Sequence, residues 1–144
     1  MMKPASIIRM TVGHFGNVLR YLRTFYFRMA GISIGKNTFI SLGAKVDISG
    51  KDKITIGDKC EITYGCVILS HDAAVKRIDP KGKRGGPVRI GNNVFMGVNS
   101  IVLHSVTIGD NSVIGAGSVV TKDIPPNVVA VGNPAKVIRE LSGC

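Results

Sequence analysis

Residues 88–120 read VRIGNNVFMGVNSIVLHSVTIGDNSVIGAGSVV, and this stretch decides the fold. Within it an aliphatic residue recurs every six positions, beginning at Ile90 and ending at Val120. A period of six fits neither an amphipathic helix nor the plain alternation of a half-buried strand. It fits a short strand followed by a tight corner, and repetition of that unit builds a solenoid.

The same period extends towards the N-terminus and gives twelve aliphatic positions in four groups of three. They are Ile34, Ile40, Val46, Ile56, Ile62, Ile68, Ile90, Met96, Val102, Ile108, Ile114 and Val120. The third residue after such a position is Asn or Gly in seven of twelve cases, and both tolerate the left-handed backbone of a corner. Three strands close a triangle, so the sequence predicts an all-β solenoid of about four coils, roughly 20 Å tall.

Two interruptions of the period mark insertions. Four extra residues between Val46 and Ile56 predict a short bulge around residues 50–53. Sixteen extra residues between Ile68 and Ile90 predict an excursion loop over residues 71–86, which is polar, basic and rich in glycine. A long loop on a regular scaffold commonly carries function.

The two ends of the chain complete a single domain, 1–144. Residues 1–33 are interpreted as a helical cap, with one or two helices over 7–29 interrupted near Gly13 or Gly16. A second interpretation of residues 7–29 is a basic amphipathic segment resting on an anionic membrane surface. The β-helix spans residues 34–124, and the tail, residues 125–144, is expected to contain a short helix over 135–141.

Charge and cysteine content narrow the function classes. The 144 residues carry a formal net charge of +10, and residues 1–46 hold seven of the basic residues and no acid. Such segments attract nucleic acid, anionic lipid or phosphorylated small molecules. No aromatic–basic RNA-binding signature or Cys/His finger spacing is present, so we expect no nucleic-acid partner. Three cysteines, with no clean signal sequence or membrane-spanning apolar run, favour a cytoplasmic protein.

The segments VRIGNNVFMG (88–97) and VTIGDNSVIGAGSVVTKDIPPNVVAVGNPAKVIREL (106–141) carry a resemblance. They are similar to the acyltransferases of the hexapeptide-repeat superfamily, whose solenoid is a left-handed parallel β-helix. Within it the chain resembles O-acetyltransferases that modify galactosides, maltose or sugars of surface polysaccharides. The resemblance implies an acetyl-CoA donor, a sugar or nucleotide-sugar acceptor, and a homotrimer with active sites between neighbouring subunits.

The candidate catalytic residue is His71, which stands where the excursion leaves the repeat. An alcohol that attacks a thioester needs a base, and an imidazole titrates near neutral pH. The resemblance places its general-base histidine at this same point. Asp72 is a candidate to orient the imidazole or to bind substrate. Some relatives pair the histidine with an upstream acid, but Ser70 precedes it here.

The resemblance also implies a donor site and an acceptor site. Small residues would line the pantetheine path, and the TK element and the tail would hold the nucleotide phosphates. The donor residues are Gly97, Ala116, Gly117, Thr121, Lys122, Lys136 and Arg139. Asn99 is a candidate oxyanion or substrate ligand, and Phe95 stands where relatives often carry Trp, near the acceptor or at a subunit interface. The plain alternatives for these residues are solvated surface charges, corner residues and ordinary packing.

Three other functions would use the same solenoid. A zinc-dependent carbonic anhydrase on this solenoid needs three histidines with a close pair, which His14, His71 and His104 do not supply, so no metal is expected. An N-acetyltransferase acting on an amino sugar would use the same base. A non-catalytic trimeric anion-binding scaffold would keep its binding after His71→Ala and would have no affinity for CoA.

Overall fold

The computed structural model of the chain describes residues 4–49, 53–79, 81 and 85–141. The repeat forms twelve short strands: β1 (Ser33–Ile34), β2 (Phe39–Ile40), β3 (Lys45–Val46), β4 (Ile54–Ile56), β5 (Glu61–Ile62), β6 (Val67–Ile68), β7 (Val88–Ile90), β8 (Phe95–Met96), β9 (Ile101–Val102), β10 (Thr107–Ile108), β11 (Val113–Ile114) and β12 (Val119–Val120). Every third strand joins the same parallel sheet: β1-β4-β7-β10, β2-β5-β8-β11 and β3-β6-β9-β12. Four triangular coils result, as the period predicts.

The core is a stack of aliphatic layers. In the first sheet Ile34 pairs with Ile56, Ile56 with Ile90, and Ile90 with Ile108. All twelve periodic positions are buried. The small residues beside the corners are buried with them, and the hydroxyl of Ser112 donates a hydrogen bond to the carbonyl of Pro125 at 2.9 Å. Both sets of side chains therefore point into the interior of the solenoid.

The corners use the left-handed backbone conformation. Corner residues with positive φ include Asn37, Gly65, Asn93, Asn99, Asn111 and Gly117. At the corner that joins the first sheet to the second, side-chain amides also form a ladder. Asn93 Nδ2 donates to Asn111 Oδ1, and Asn111 Nδ2 donates to Asn127 Oδ1, each at 3.0 Å.

Helix α1 (Pro4–Met29) packs on β1 and β2 and caps the first coil. It is continuous, so the predicted interruption near Gly13 or Gly16 is wrong. A single helical glycine costs about 1 kcal/mol, which is too little to break a helix anchored by packing. Phe27 is buried against the coil, and the helix ends at Met29, two residues before Gly31, whose φ is +93°. Within the part of the chain that the structure describes, no helix is long and apolar enough to span a bilayer.

Two arginines of α1 satisfy carbonyl groups at the open edge of the first coil. Arg28 Nη2 donates to the carbonyl oxygens of Ile34 at 3.0 Å and Gly35 at 3.1 Å. The Arg23 guanidinium donates to the carbonyl oxygens of Leu42 and Ala44. These oxygens would otherwise lack a neighbouring coil to donate to them.

The tail contains strands where a helix is predicted. Ile124 bridges to Ile108, and β13 (Val128–Val131) pairs in parallel with β11, so the solenoid continues past residue 124. The chain then reverses, and β14 (Lys136–Glu140) pairs antiparallel with β13. The predicted helix over 135–141 is therefore wrong, because the open edge of β13 supplies hydrogen-bond partners to a β-branched segment.

The excursion contains a short helix, α2 (Ala73–Ile78), where only a loop was predicted. Its base is closed, because His71 bridges to Gly85 and the Gly86 N–H donates to the Ser70 carbonyl at 3.0 Å. The bulge predicted around residues 50–53 falls mainly on residues 50–52, which lie outside the described residues.

Candidate active site

One corner of the triangle brings together residues that can carry chemistry. It joins the third sheet to the first sheet and consists of residues 47–49, 69–71, 103–105 and 121–123 in successive coils. We call it the histidine corner. The excursion leaves the second coil at this corner, immediately after His71.

The side chains of His71 and Asp47 form a hydrogen bond across adjacent coils. His71 Nδ1 lies 2.5 Å from Asp47 Oδ2. The Asp47 side chain is 7% exposed and that of His71 is 43% exposed. The carboxylate is therefore enclosed in the protein while the imidazole reaches solvent.

Four further hydrogen bonds hold the Asp47 carboxylate. The N–H and hydroxyl of Ser70 donate to Oδ2 at 3.1 and 2.7 Å. The N–H and hydroxyl of Ser49 donate to Oδ1 at 2.9 and 2.7 Å. Burial raises the pKa of Asp47, but the hydrogen bonds from Ser49, Ser70 and His71 outweigh burial and hold this pKa well below its usual range.

This arrangement fixes the role of each imidazole nitrogen. An ionised carboxylate only accepts hydrogen bonds, so Nδ1 of His71 must carry the proton that Asp47 receives. In the neutral imidazole, Nε2 is then left as a proton acceptor. Chemically, the pair is a base with a fixed tautomer.

The imidazole borders a cavity of about 340 Å³. Its lining residues are Leu69, His71, Asp72, Ala74, Leu103 and His104. The two leucines supply an apolar wall, and α2 contributes Ala74. A larger groove, of about 850 Å³, lies between α1 and the first coil, and none of its lining residues is a histidine or an acid.

Asp72 does not orient His71. Its Oδ1 accepts the Ala74 N–H at 2.8 Å and so caps α2. The orienting acid is Asp47, which the sequence argument missed. The available signal was register, because Asp47 follows Val46 in the coil before His71 and falls on the same corner.

Most of the other predicted site residues lie on a different corner. The corner between the second and third sheets holds Gly97, Asn99, Ala116 and Gly117, and we call it the glycine corner. A Cβ on Gly97 would lie 2.5 Å from the Ala116 nitrogen, so adjacent coils touch there.

The remaining candidates lie on the second sheet or on the histidine corner. Phe95 faces outward on β8 and is 40% exposed, and β14 on the same sheet carries Lys136 and Arg139. Thr121 and Lys122 lie on the histidine corner, two coils from His71, which is about 10 Å along the stack. A single subunit therefore does not gather all predicted residues around one point.

Metal-ligating groups do not cluster in the described ranges. No three His, Cys, Asp or Glu side chains there are grouped so as to hold a metal ion.

Known proteins share this fold and repeat. Residues 87–122 match the family described as hexapeptide repeat of succinyl-transferase. A hexapeptide-repeat acetyltransferase of Vibrio cholerae, solved in complex with acetyl-CoA, matches with a TM-score of 0.68 and 32% identity over 78% of this chain and 61% of that one. The chain is homologous to the hexapeptide-repeat acetyltransferases, and its solenoid is the left-handed parallel β-helix that the resemblance implied.

Galactoside acetyltransferases are among the proteins of this class that the chain is similar to. It is 66% identical over 115 residues to the galactoside O-acetyltransferase of Escherichia coli, covering 78% of this chain and 56% of the relative. A solved galactoside acetyltransferase in complex with coenzyme A has a TM-score of 0.67 and 41% identity, over 77% of this chain and 56% of that one. The chain thus spans about half the length of these relatives.

Proposed function

We propose that the protein is an acetyl-CoA-dependent O-acetyltransferase that modifies a sugar hydroxyl in polysaccharide or glycan biosynthesis. The observation that carries the proposal is the 2.5 Å contact between His71 and Asp47 at the mouth of a cavity. Similarity to proteins named as galactoside O-acetyltransferase and as a polysialic-acid-specific acetyltransferase supports the reaction and the acceptor class. A donor made inside the cell is consistent with a cytoplasmic location.

His71 acts as the general base. Nε2 accepts the proton of the acceptor hydroxyl while that oxygen forms a bond to the thioester carbonyl carbon. Asp47 accepts the Nδ1–H bond throughout and stabilises the imidazolium that results. The carbon–sulfur bond then breaks, and the imidazolium returns its proton to the departing thiolate.

The histidine corner offers a path for the donor. Thr121 and Lys122 lie about 10 Å along the stack from His71, at a spacing of ~4.8 Å per coil. An ammonium group there suits a phosphate of the nucleotide. His104 stands one coil from His71, between it and Lys122, and lines the same cavity.

A homotrimer explains why the predicted residues occupy two corners. A groove between two subunits can place the histidine corner of one beside the glycine corner of the next. Gly97, Ala116 and Gly117 would then line the pantetheine path from the neighbouring subunit. Lys136 and Arg139, on β14, add cations for the pyrophosphate or 3′-phosphate of the same ligand.

The acceptor site is assigned to groups beside the base. Asp72 lines the cavity in addition to capping α2, which supports a second role in binding an acceptor hydroxyl. Asn99 and the exposed ring of Phe95 would come from the neighbouring subunit. An aromatic ring beside polar groups is a common surface for a sugar.

Thiol release from acetyl-CoA, measured with a panel of sugars and nucleotide sugars, tests the proposal. His71→Ala is expected to lower kcat by about 10²–10⁴-fold, the usual contribution of a general base. His104→Ala is the matched control, because His104 lines the same cavity without an acid partner, and its kcat should stay within about tenfold. Unchanged activity in His71→Ala would reject His71 as the base.

The same assay separates the alternative functions. An O-acetyl product is an ester that hydroxylamine cleaves, whereas an N-acetyl product on an amino sugar is an amide that survives. Acetyl-CoA binding without thiol release for any acceptor points to a missing acceptor. Absence of binding, with anion binding retained in His71→Ala, would favour a trimeric scaffold.

A further inference from the structure

The outer face of α1 is apolar although no part of the described structure covers it. Val18, Leu22, Phe25 and Met29 recur at helical spacing and are 51%, 61%, 63% and 73% exposed. Phe27, on the opposite side of the helix, is 5% exposed and packs on the first coil. The helix therefore has two apolar faces, one used by the fold and one presented to the surroundings.

Two tyrosines border this outer stripe. At 3.6 residues per turn, Tyr21 and Tyr26 lie about 70° to either side of the stripe's centre. They are 80% and 54% exposed. Tyrosine is favoured at membrane–water interfaces, where its ring is apolar and its hydroxyl remains hydrated.

The segment that carries the stripe has an excess of positive charge. Residues 1–46 contain seven basic residues and no acid. Arg20 and Arg28 line the groove between α1 and the first coil, together with Tyr21 and Phe25 of the outer face. Arg20 lies 4.7 Å from the centre of the Phe39 ring, and the ion pair found among the described residues, Asp47 with His71, is at another corner of the molecule.

We infer that the outer face of α1 binds the surface of an anionic lipid bilayer. The stripe enters the boundary between headgroups and acyl chains, the tyrosines lie at headgroup level, and the net positive charge of residues 1–46 attracts the anionic headgroups. Pairing of two copies through this face is disfavoured, because an isologous contact would bring two acid-free basic segments together. The inference does not depend on the proposed reaction.

Flotation of the full-length protein with vesicles tests the inference. Binding is expected to vesicles that contain phosphatidylglycerol, to be much weaker with phosphatidylcholine alone, and to fall as salt is raised. Phe25→Glu should weaken binding by about tenfold or more, because a charge replaces a ring in the apolar boundary. Tyr64→Glu is the matched control: Tyr64 is an aromatic residue of similar exposure, 67%, on the glycine corner, and this variant should bind like the wild type.

The circular dichroism spectrum and thermal midpoint of both variants establish that the fold is kept. Equal loss of binding in Phe25→Glu and Tyr64→Glu would overturn the inference, because net charge alone would then account for it. Binding that is indifferent to phosphatidylglycerol would overturn it as well. A third result would also overturn it: the wild type does not bind vesicles, and Phe25→Glu has a smaller molecular mass than the wild type in light scattering. The stripe would then join copies of the chain.

Discussion

Five hydrogen bonds converge on the carboxylate of Asp47, from Ser49, Ser70 and His71. Such a carboxylate cannot rotate without breaking several bonds, so the imidazole that it holds has one orientation. The cost of burying the charge is offset by those bonds, which also lower the pKa of Asp47. At the scale of the residue, Asp47 is therefore a rigid hydrogen-bond acceptor that holds the proposed base in one orientation.

Asp47→Asn should lower kcat more than it raises KM, because Asp47 acts through His71 and does not line the cavity. We expect a loss of up to about 10⁴-fold, because an asparagine no longer fixes the tautomer of the imidazole. The acid limb of the pH–kcat profile should also shift, since an amide stabilises an imidazolium less than a carboxylate does. Steady-state kinetics over a pH series measures both effects.

Asp72→Asn provides the comparison, because Asp72 caps α2 and does not touch the imidazole. Its pH profile should keep the shape of the wild-type profile. If both variants shift the profile equally, Asp47 is not the orienting residue.

Stability should fall at acid pH partly through Asp47. Direct hydrogen bonds lower the pKa of Asp47 in the folded chain. Aspartates in an unfolded chain titrate near 3.9. As the pH falls from about 5, the unfolded chain binds this proton first, and the free energy of unfolding decreases. Asp47→Asn removes that contribution, so its stability should vary less steeply with pH in urea titrations.

Glu61→Gln serves as the control for this titration, since Glu61 is an exposed residue of β5. It should leave the slope of stability against pH close to that of the wild type. Parallel slopes for the wild type and Asp47→Asn would contradict the assigned network.

At the scale of the element, the strands of the repeat follow from local pattern and the ends do not. Each periodic aliphatic residue packs against the equivalent residue of the next coil, so the six-residue pattern alone predicts this packing. Helix α1 and β14 depend instead on partners distant in sequence. Their form was set by packing on β1 and β2 and by the free edge of β13, which no local window contains.

The candidate site also combines features that local sequence predicts with features that depend on residues distant in sequence. The position of His71 followed from register and resemblance, whereas Asp47 lies 24 residues earlier in the sequence and meets His71 through the stacking of successive coils. The helix in the excursion was also missed, because six residues give a weak helical signal. Asp72 was recognised as important, but its geometric partner is the α2 backbone.

The close stacking of coils predicts the effect of Gly97→Ala. The added Cβ would stand 2.5 Å from the Ala116 nitrogen and 2.9 Å from the Ala116 Cα, both of which are backbone atoms. We expect a loss of about 1–3 kcal/mol in the free energy of unfolding, as for other overpacked sites. Gly16→Ala is the same substitution within α1, where it should be neutral or stabilising. Chemical denaturation of the two variants measures the difference, and equal stabilities would refute close coil contact at Gly97.

At the scale of the whole molecule, the placement of functional groups on two corners has a consequence for assembly. His71 and Ala116 belong to different corners, so in the proposed homotrimer two subunits would together supply one site. Within a cyclic trimer each site then takes one corner from each of two neighbours.

Mixing two inactive variants tests that arrangement. His71→Ala removes the base, and Ala116→Trp obstructs the glycine corner at an exposed position. Every mixed trimer contains one interface free of both substitutions, so it should recover about one third of wild-type activity. Thiol release by coexpressed, purified mixtures measures the recovery. If both parents are inactive and the mixture is inactive too, the site lies within one subunit.

The arginines of α1 also bear on how the solenoid remains finite. Each coil has a row of backbone N–H and C=O groups that bond to the next coil. Where no coil covers this row, another chain could add to it end to end. Arg23 and Arg28 occupy carbonyl oxygens of that row with guanidinium groups, which cannot propagate a strand. The helix thereby blocks the edge on which another coil could add, as well as covering the core.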